Sequence, residues 1–563
     1  MYVLGINYLS ESSVCLFKDN KLIYAISEER LNRKKNWYGI PLKSIDKTLK
    51  DNKLKIKQID FFATHGLSAI NLDTPNINFF EKKILSVKYS NLKKEKKNYI
   101  IKELNERRKH ETLVIKKRTR TIIEKIKKKF KNIYIYDHHT AHAASAYYFS
   151  GFKSCYVLTI DGWGDNASAK LFKANDGNLK EIKRTETIDS LGYFYGSITK
   201  LLGFTPHKHE GKVLGLAAYA SPKIAIKEIN KIFRYNIKTK NFEGLVQNGI
   251  YLPKFNNKLL NFLKKKYSKS EIASAVQYKL EEVVTKYISD IESDSFDLAL
   301  AGGVFSNVKL NQKIQELKKI KNIFIFPNMG DGGLSVGAAA LCLNKIKKYK
   351  YFKFDNMYLG PSYKKIRPNS KYKIKKINIR SKKLNNFIAN QLSKKKIFAL
   401  HQGRMEFGPR ALCNRSIICG AENSNINITL NKKLKRTEFM PFAPVVLAED
   451  FDKYFFNLEK KIVNTRFMTI TYNCKKKLID CAPAVVHVDN TARPQLITKK
   501  DNKRVYNILS EYKKITGNGV LINTSFNMHE EPIVCSVEDS YRAFAYSKLD
   551  YLIIDDEVFT LEK

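Results

Sequence analysis

The stretch NIYIYDHHTAHAASAYYFSGFKSCYVLTIDG (residues 132–162) decides the fold class of the N-terminal half of the chain. It predicts a strand, a helix that begins at the histidine-rich HHTAH, and a second strand that ends at Asp161. The same rhythm continues in FDLALAGG (296–303) and NIFIFPNMGDGG (322–333), where buried strands run into glycine turns. Strands that alternate with helices indicate mostly parallel sheets covered by helices. We therefore predict an α/β fold.

The flanking sequence predicts further elements. In the first 70 residues, MYVLGI and IDFFATHG are predicted strands, and SVCLFKD and KLIYAISEE a predicted hairpin. Residues 81–131 hold 20 lysines and arginines against six acidic residues and predict two amphipathic helices. A solvated basic face is favoured there over a polyanion-binding arm. Residues 346–375 are rich in lysine and tyrosine and predict a linker. The predicted domains are therefore 1–345, with the basic insertion, and 376–563.

The overall composition excludes several classes of protein. The chain has 563 residues, of which 43% are hydrophobic, so it is neither disordered nor collagen-like. No apolar run approaches the roughly 20 residues of a membrane span, and no signal peptide is evident. The eight cysteines form no CxxC pair, which predicts reduced thiols in a cytoplasmic protein. The net charge of +48 suits anionic ligands, but a compositional bias towards lysine is the favoured explanation.

A histidine and aspartate pattern predicts a metal site. His138 and His142 are four residues apart, so both imidazoles project from one face of a helix. Asp161 and Asp331 follow predicted strands, and residues at the carboxyl ends of strands in one sheet converge. Such mixed ligands suit Fe²⁺, Zn²⁺ or Mn²⁺, and the sequence does not choose among them. Core histidines and simple turn aspartates are the alternative interpretation.

Two further groups of residues point to phosphate chemistry. Glycines follow strands at Gly302, Gly303 and 330–333, where backbone amides can approach phosphates, although no Walker A motif is present. Arginine, lysine, asparagine and serine recur in the C-terminal half, and these side chains could line a pocket for a small phosphorylated anion. That set comprises Arg404, Arg410, Arg415, Lys435, Arg436, Arg493, Asn523, Ser525 and Asn527, with a structural ion pair as the alternative role of Arg415.

Taken in order, the motifs resemble one known family. GIN…SS, EERLNRKK, HHTAHAASA, TIDGWG, EGKVLGLAAY, AGGVFSN, GDGG…GAA, QGRMEFGPRAL, EFMPFAP and NTSFN…EPIV recur from about residue 2 to about 556. Together they resemble the O-carbamoyltransferases of the NodU, cephalosporin and tobramycin type. The resemblance implies an N-terminal actin-like domain related to threonylcarbamoyl transferases and a C-terminal YrdC-like α/β domain.

The resemblance also implies an activity and its residues. The enzyme would form carbamoyl-adenylate from carbamoyl phosphate and ATP, then transfer the carbamoyl group to an acceptor hydroxyl. The implied metal, with Fe²⁺ expected and Mg²⁺ as a further ion, is held by His138, His142, Asp161 and Asp331. Lys212 joins the catalytic group. Implied contacts to the adenylate, carbamoyl phosphate and ATP are Lys35, Gly302, Gly303, Asn307, Arg404, Arg410, Lys435, Arg493, Asn523 and Ser525.

The expected partner is a small-molecule, sugar or glycan acceptor, with a homodimer as one assembly open to the chain. No nucleic acid is expected. Two alternatives remain open at this point: a tRNA-modifying protein of the threonylcarbamoyl-transferase type, and a non-carbamoylating nucleotide-binding protein of the actin-like fold. Three departures from the family pattern stand out. Ser10 replaces a histidine, for which His139 or His209 could substitute; Cys413 replaces a glycine; and Met440 replaces an arginine.

Overall fold

The computed structural model describes residues 1–67, 77–255, 257–436, 440–456 and 462–562. The chain forms two compact units. Unit 1 comprises residues 1–22, 38–40 and 55–353, and unit 2 comprises residues 23–37, 41–54 and 354–563. The predicted domains differ from these units in the first 54 residues, where two segments group with unit 2. The predicted linker, 346–375, is divided between the units after residue 353.

The strands are β1 (Tyr2–Asn7), β2 (Ser13–Lys18), β3 (Lys21–Ser27), β4 (Phe61–His65), β5 (Ile133–Tyr136), β6 (Ser154–Gly164), β7 (Ala167–Asn175), β8 (Asn178–Glu186), β9 (Phe233–Asn236), β10 (Asn241–Gly244), β11 (Phe296–Ala301), β12 (Ile320–Ile325), β13 (Ile374–Ile377), β14 (Phe398–His401), β15 (Arg415–Gly420), β16 (Ala443–Leu447), β17 (Tyr472–Asn473), β18 (Thr491–Ala492), β19 (Gln495–Ile497), β20 (Val520–Ser525), β21 (Tyr551–Ile554) and β22 (Glu557–Leu561).

The α-helices are α1 (Glu29–Asn32), α2 (Leu42–Asp51), α3 (Ile77–Lys88), α4 (Lys94–Lys109), α5 (Lys116–Lys129), α6 (His138–Ser150), α7 (Leu191–Leu201), α8 (Glu210–Ala217), α9 (Ile226–Ile229), α10 (Asn261–Lys266), α11 (Lys269–Ser289), α12 (Val308–Gln315), α13 (Leu334–Lys347), α14 (Leu384–Ser393), α15 (Asn425–Leu434), α16 (Phe451–Tyr454), α17 (Lys476–Cys481), α18 (Lys503–Thr516) and α19 (Val537–Ser547). These elements confirm the predicted mixed α/β class.

The same strand order occurs twice among the sheets of the N-terminal half. One sheet has the order β3-β2-β1-β4-β5, and the other has the order β8-β7-β6-β11-β12. In each sheet the first strand pairs with the next strand of the chain in antiparallel fashion, and two later strands extend the sheet in parallel from its other side: β4 and β5 beside β1, and β11 and β12 beside β6. Helices α6 and α13 therefore follow corresponding strands. The carboxyl ends of these strands position the candidate site.

Helices α6 and α13 pack against each other at very short range. A Cβ atom built on Gly337 of α13 would overlap the carbonyl oxygen of Ala141 in α6, and one built on Gly5 of β1 would overlap the carbonyl oxygen of Ser335. Only glycine permits these approaches. The central helices are therefore held against each other and against β1, which limits the movement of the loops at their N-terminal ends.

The basic segment, defined as residues 81–131, differs from the predicted pair of helices. The end of α3, all of α4, a π-helical turn at His110–Ile115 and all of α5 lie within it. Val87, Ile100 and Leu104 are fully buried in the same core as the strands β6 and β11. The segment is therefore an integral part of unit 1 with an apolar inner face, and its lysines cover the outside.

Unit 2 is built on an eight-stranded sheet with the order β13-β22-β21-β14-β15-β20-β16-β19. Residues of α14 and α18 pack in one core with alternate residues of β14 and β15, and residues of α15 and α19 pack in another. The N-terminal segments join this unit through polar contacts. Arg33 donates hydrogen bonds to the carbonyl oxygens of Pro532 and Ile533, each at 2.7 Å. These contacts explain why residues 23–37 group with the C-terminal half.

Candidate functional site

Two histidines lie on one face at the start of α6. Asp137 caps this helix, because its side chain accepts a hydrogen bond from the backbone N–H of Thr140 at 2.9 Å. His138 and His142 lie one turn apart on the same face, with their rings nearly perpendicular. Their exposed fractions are 1% and 0%, and their ring centroids are 4.7 Å apart.

Two carboxylates face these imidazoles. Asp161 lies near the end of β6, and Asp331 begins the turn that leads into α13. His142 Nε2 is 3.2 Å from Asp161 Oδ2 and 3.6 Å from Asp331 Oδ1, and His138 Nε2 is 3.7 Å from each of the same two oxygens. One ligand atom from each of the four side chains lies within 4.8 Å of all the others. We call this group the metal centre.

The chemistry of the metal centre fits a divalent cation. Among the described residues, neither ring nitrogen of His138 nor Nδ1 of His142 has a hydrogen-bond partner, although all three atoms are buried. Burial and the nearby charge of Asp161 raise the pKa of Asp331 well above its usual value. Burial also opposes ionisation of Asp161, but the imidazoles of His138 and His142, which lie 3.7 Å and 3.2 Å from its Oδ2, hold its pKa well below the usual value. Two carboxylates and two imidazoles with free lone pairs suit one Fe²⁺, Zn²⁺ or Mn²⁺ ion.

Residues of the first sheet support the metal centre, and the sequence pattern did not single them out. His65, at the end of β4, packs perpendicular to His138 with ring centroids 5.5 Å apart. Its Nε2 lies 2.9 Å from Asn7 Oδ1 at the end of β1. Glu11, in the β1–β2 turn, accepts a hydrogen bond from the backbone N–H of Gly332 at 3.2 Å. The signal that could have found them is their position at carboxyl ends of parallel strands and in the adjoining turn.

Neither histidine that could substitute for the one replaced by Ser10 joins the metal centre. His139 Nδ1 lies 2.9 Å from Thr159 Oγ1, and its Nε2 lies 3.1 Å from a main-chain carbonyl oxygen. His209 Nδ1 accepts a hydrogen bond from the backbone N–H of Thr205 at 3.2 Å. Both rings have local structural roles. Glu11 is instead the ionisable side chain of the β1–β2 turn that reaches the loop of Asp331.

The conformation of His138 depends on a glycine. A Cβ atom built on Gly164 would overlap the His138 imidazole. We expect Gly164→Ala to displace the ring and to lower metal affinity at least about tenfold, as loss of ligand orientation does at metal sites. Metal content after dialysis, measured by elemental analysis, checks this. Gly211→Ala is the matched control, because nothing lies within 4 Å of a Cβ atom there; equal metal content in the two variants would contradict the prediction.

The predicted adenylate contacts Gly302 and Gly303 lie beside the metal centre. Gly302 directly follows β11 and has φ +105°, and a Cβ atom on it would overlap the carbonyl oxygen of Ile160. An ideal Cβ atom on Gly303 would lie 3.2 Å from Asp161 Oδ1. The backbone of this turn therefore passes close to Asp161, and glycine leaves no side chain between them.

Asn307 and Lys212 lie on helices of the same unit. Asn307 caps α12 by accepting the backbone N–H of Leu310 at 3.0 Å, and its amide exchanges two hydrogen bonds with Gln277. Its side chain thus already has a structural function. Lys212 lies in α8 and is 8% exposed. The structure places Lys212 in unit 1 but does not include it in the metal centre.

Asn523 connects the two segments of unit 2 that carry the predicted anion ligands Arg410 and Arg493. Asn523 of β20 donates hydrogen bonds to the carbonyl oxygen of Ala411 at 3.1 Å and to Gln495 Oε1 at 2.5 Å. Arg410 adjoins the first of these partners, and Arg493 lies two residues before the second. Both arginines are half-buried. We call Arg410, Arg493 and Asn523 the anion cluster.

Ser525 ends β20, and Arg436, which lies two residues after α15, contacts it. The guanidinium of Arg436 donates to Ser525 Oγ at 3.2 Å, to the carbonyl oxygen of Ser525 at 2.7 Å and to that of Asn527 at 2.9 Å. Arg436 therefore organises the loop that presents Ser525. Lys435, which precedes it at the end of α15, is exposed with φ +55°. Met440 is half-buried just before β16.

Arg404 differs from the predicted ligand role. Its guanidinium donates hydrogen bonds to the carbonyl oxygens of Gly360, Leu359 and Ile23 within unit 2. Arg415 is fully buried and likewise donates to main-chain carbonyl oxygens, including that of Gln402 at 2.8 Å. Both arginines satisfy buried backbone acceptors. These bonds stabilise unit 2.

Lys35 also differs in location. It was expected beside the adenylate in the N-terminal domain, but it groups with unit 2. Burial lowers the pKa of Lys35, while the charges of Glu530 and Glu29 act to raise it. The physical reason for its location is the bonding of Arg33, two residues earlier, to unit 2.

Comparison with known protein families gives two matches. Residues 2–340 match the family described as Carbamoyltransferase N-terminus, and residues 389–561 match Carbamoyltransferase C-terminus. The chain belongs to the carbamoyltransferase family. It is therefore an enzyme of carbamoyl transfer, and the resemblance inferred from the motifs is confirmed.

Relatives of this carbamoyltransferase extend over its full length. It is 34% identical to an uncharacterized protein of Methanocaldococcus jannaschii, over 100% of both chains. It is 29% identical to nodulation protein NolNO of Sinorhizobium fredii, over 97% of this chain and 78% of the relative. Among solved structures, full-length HypF in the phosphate- and nucleotide-bound form aligns with a TM-score of 0.32 and 11% identity, over 62% of this chain and 56% of HypF.

Within the described ranges, no helix is both long enough and apolar enough to cross a membrane.

The backbone conformation of Cys413 explains why glycine is usual at this position in the family. Its φ is +76°, a left-handed conformation that favours the glycine usual at this position. We expect Cys413→Gly to be more stable than Cys413→Ala by about 1 kcal/mol, because both lose the thiol but only glycine relieves the strain. Denaturant unfolding of the two variants measures this difference. Equal unfolding midpoints would show that the backbone is unstrained.

Proposed function

We propose that this carbamoyltransferase forms carbamoyl-adenylate from carbamoyl phosphate and ATP at the anion cluster of unit 2. It then transfers the carbamoyl group to a hydroxyl of a sugar or glycan acceptor at the metal centre of unit 1. The observation that carries the proposal is the four-ligand metal centre beside a glycine turn, which suits attack on an activated carbonyl. Family membership supports carbamoyl as the transferred group.

The donor step needs one water molecule for atom balance. Hydrolysis of carbamoyl phosphate gives carbamate and inorganic phosphate. A carbamate oxygen then bonds to the α-phosphorus of ATP, the bond to the β-phosphate breaks, and pyrophosphate leaves. Arg410 and Arg493 would offset the charge on the phosphate oxygens, and Ser525 would add a neutral hydrogen bond.

The transfer step exchanges AMP for the acceptor. The hydroxyl oxygen bonds to the carbonyl carbon, the bond from that carbon to the adenylate oxygen breaks, AMP leaves with the electron pair, and the hydroxyl proton passes to solvent. A divalent ion, for which we propose Fe²⁺, would supply a Lewis acid that activates the carbonyl or binds the adenylate phosphate. His138, His142, Asp161 and Asp331 would hold it. Lys212 would offset the negative charge that develops on the leaving phosphate.

Pyrophosphate exchange tests the proposal without knowledge of the acceptor. Purified protein loaded with Fe²⁺ is incubated with ATP, labelled pyrophosphate and carbamoyl phosphate. We expect label to enter ATP only when carbamoyl phosphate is present, since reversal of the donor step returns pyrophosphate to ATP. Formation of ADP would indicate a kinase instead. Absence of exchange in metal-loaded protein would refute formation of the adenylate.

A further inference from the structure

The basic segment lies directly behind the metal centre. In α5, Thr119 and Ile123 pack at Gly66, where a Cβ atom would lie 3.3 and 3.2 Å from their side chains. Gly66 follows His65, whose ring packs against His138. Helix α5 therefore packs closely against the residue that follows His65, whose ring contacts a metal ligand.

The preceding part of the segment reaches a second side of the metal centre. Arg107, at the end of α4, lies over the ring of Tyr193 at 4.5 Å and pairs with Glu111 in the π-helical turn. The Tyr193 ring is 3.6 Å from an ideal Cβ atom on Gly162, which adjoins Asp161. Single π-helical turns inside helices occur frequently at functional sites. Here the turn carries Glu111, which is 3% exposed.

One arginine of the segment differs from the other three. Arg107, Arg108 and Arg120 pair with carboxylates of the same segment. Arg118 is exposed and, among the described residues, has no carboxylate within ion-pair distance. Its guanidinium lies 4.3 Å over the ring of Tyr38. Stacking on an aromatic ring orients the planar group while its N–H donors stay available to a ligand.

Tyr38 connects this arginine to the metal centre. Ser12, in the β1–β2 turn, donates a hydrogen bond to the carbonyl oxygen of Gly39 at 2.7 Å, and the same turn contacts the loop that carries Asp331. Burial raises the pKa of Tyr38, while the charge of Arg118 lowers it and that of Asp331 raises it further. The segment that begins with Tyr38 is thus connected through the β1–β2 turn to the loop that carries Asp331.

We infer that Arg118, stacked on Tyr38, binds a phosphate group carried by the acceptor, so that the acceptor is a phosphorylated or nucleotide-linked sugar. The inference rests on the proposed transfer step at the metal centre. A guanidinium offers two parallel N–H donors that match the oxygens of a phosphate. Arg118 is exposed, whereas His138 and His142 are buried, which places the phosphate away from the reacting carbonyl. The lysines of the segment would attract the same anionic ligand.

Binding of glucose and glucose 1-phosphate tests the inference, because these probes differ only by a phosphate. Metal-loaded, full-length protein is titrated with each probe by calorimetry, and with AMP in parallel. We expect glucose 1-phosphate to bind at least about tenfold more tightly than glucose. Arg118→Gln should remove this preference and Arg118→Lys should retain part of it. Arg120→Gln is the matched control, since Arg120 lies on the same helix and pairs with Glu124.

Three results of these titrations would contradict the inference that Arg118 binds a phosphate of the acceptor. If the wild-type protein shows no preference for the phosphorylated probe, or if Arg118→Gln and Arg120→Gln bind it equally, Arg118 is not a phosphate ligand. If Arg118→Gln weakens only AMP binding, the phosphate is that of the donor. Pyrophosphate exchange should be unchanged in both variants. Loss of exchange in the wild-type protein would refute the donor step separately, since the sugar-phosphate titration does not depend on it.

Discussion

Replacing His142 with alanine will abolish carbamoyl transfer while pyrophosphate exchange persists. His142 Nε2 is the nearer of the two ligand imidazole nitrogens to Asp161 Oδ2, at 3.2 Å. The side chain is fully buried, so its replacement leaves the metal centre without a ligand that solvent-exposed residues could supply. Loss of a metal ligand removes several kcal/mol of transition-state stabilisation, which corresponds to a rate loss on the order of 10³-fold. The measurements are acceptor-dependent release of AMP, metal content and exchange, all on the same preparation.

His139→Gln is the control for the loss of a buried histidine in the same helix. His139 is bonded to Thr159 and to a main-chain carbonyl oxygen, so its replacement should lower stability and leave metal content unchanged. If His142→Ala lost exchange together with transfer, the two steps would share one site. If it kept its metal and its transfer rate, the metal centre would lie elsewhere.

Replacing Arg493 with alanine will have the opposite pattern, with exchange lost and metal content retained. Arg493 is half-buried and lies two residues before Gln495. Asn523 connects Gln495 to Ala411, the residue after Arg410. Removal of a positive group that offsets developing phosphate charge costs about 10²–10³ in rate. The exchange assay measures the loss, and elemental analysis of the same protein shows that unit 1 is intact.

Two other arginines of unit 2 serve as controls for Arg493→Ala. Arg367 is exposed, and Arg367→Ala should leave exchange unchanged. Arg404→Ala should lower the denaturation midpoint, because three main-chain carbonyl oxygens lose their donor. Exchange that survives in Arg493→Ala would move the donor site away from the anion cluster.

The four residues of the metal centre could be grouped from sequence because each follows a local rule. His138 and His142 share a helix face, and Asp161 and Asp331 follow buried strands. The α/β class was equally accessible, since apolar runs and glycine turns mark each strand. These signals depend on neighbours in the chain and need no knowledge of tertiary contacts.

The remaining features depend on contacts between distant residues. No local pattern shows that Arg404 meets the carbonyl oxygen of Ile23, 381 residues away, or that Lys35 belongs to unit 2. The repeated strand order is not evident from the sequence either, because the two sheets have the same topology but different sequences. Composition predicts a solvated face for the basic segment. It does not distinguish Arg118, which lies beside Tyr38, from the other basic residues.

The bond from Arg33 to the carbonyl oxygen of Ile533 spans 500 residues of chain. A ribosome adds about 5–20 residues per second, so the segment 23–37 waits roughly 25–100 s after its synthesis for this partner. Residues 55–353 of unit 1 are complete well before then. A nascent chain that stalls after residue 353 therefore carries most of unit 1 together with residues 23–37, whose partners in unit 2 have not yet been synthesised. Until Pro532 and Ile533 are synthesised, Arg33 lacks the two carbonyl oxygens to which it donates in the folded protein.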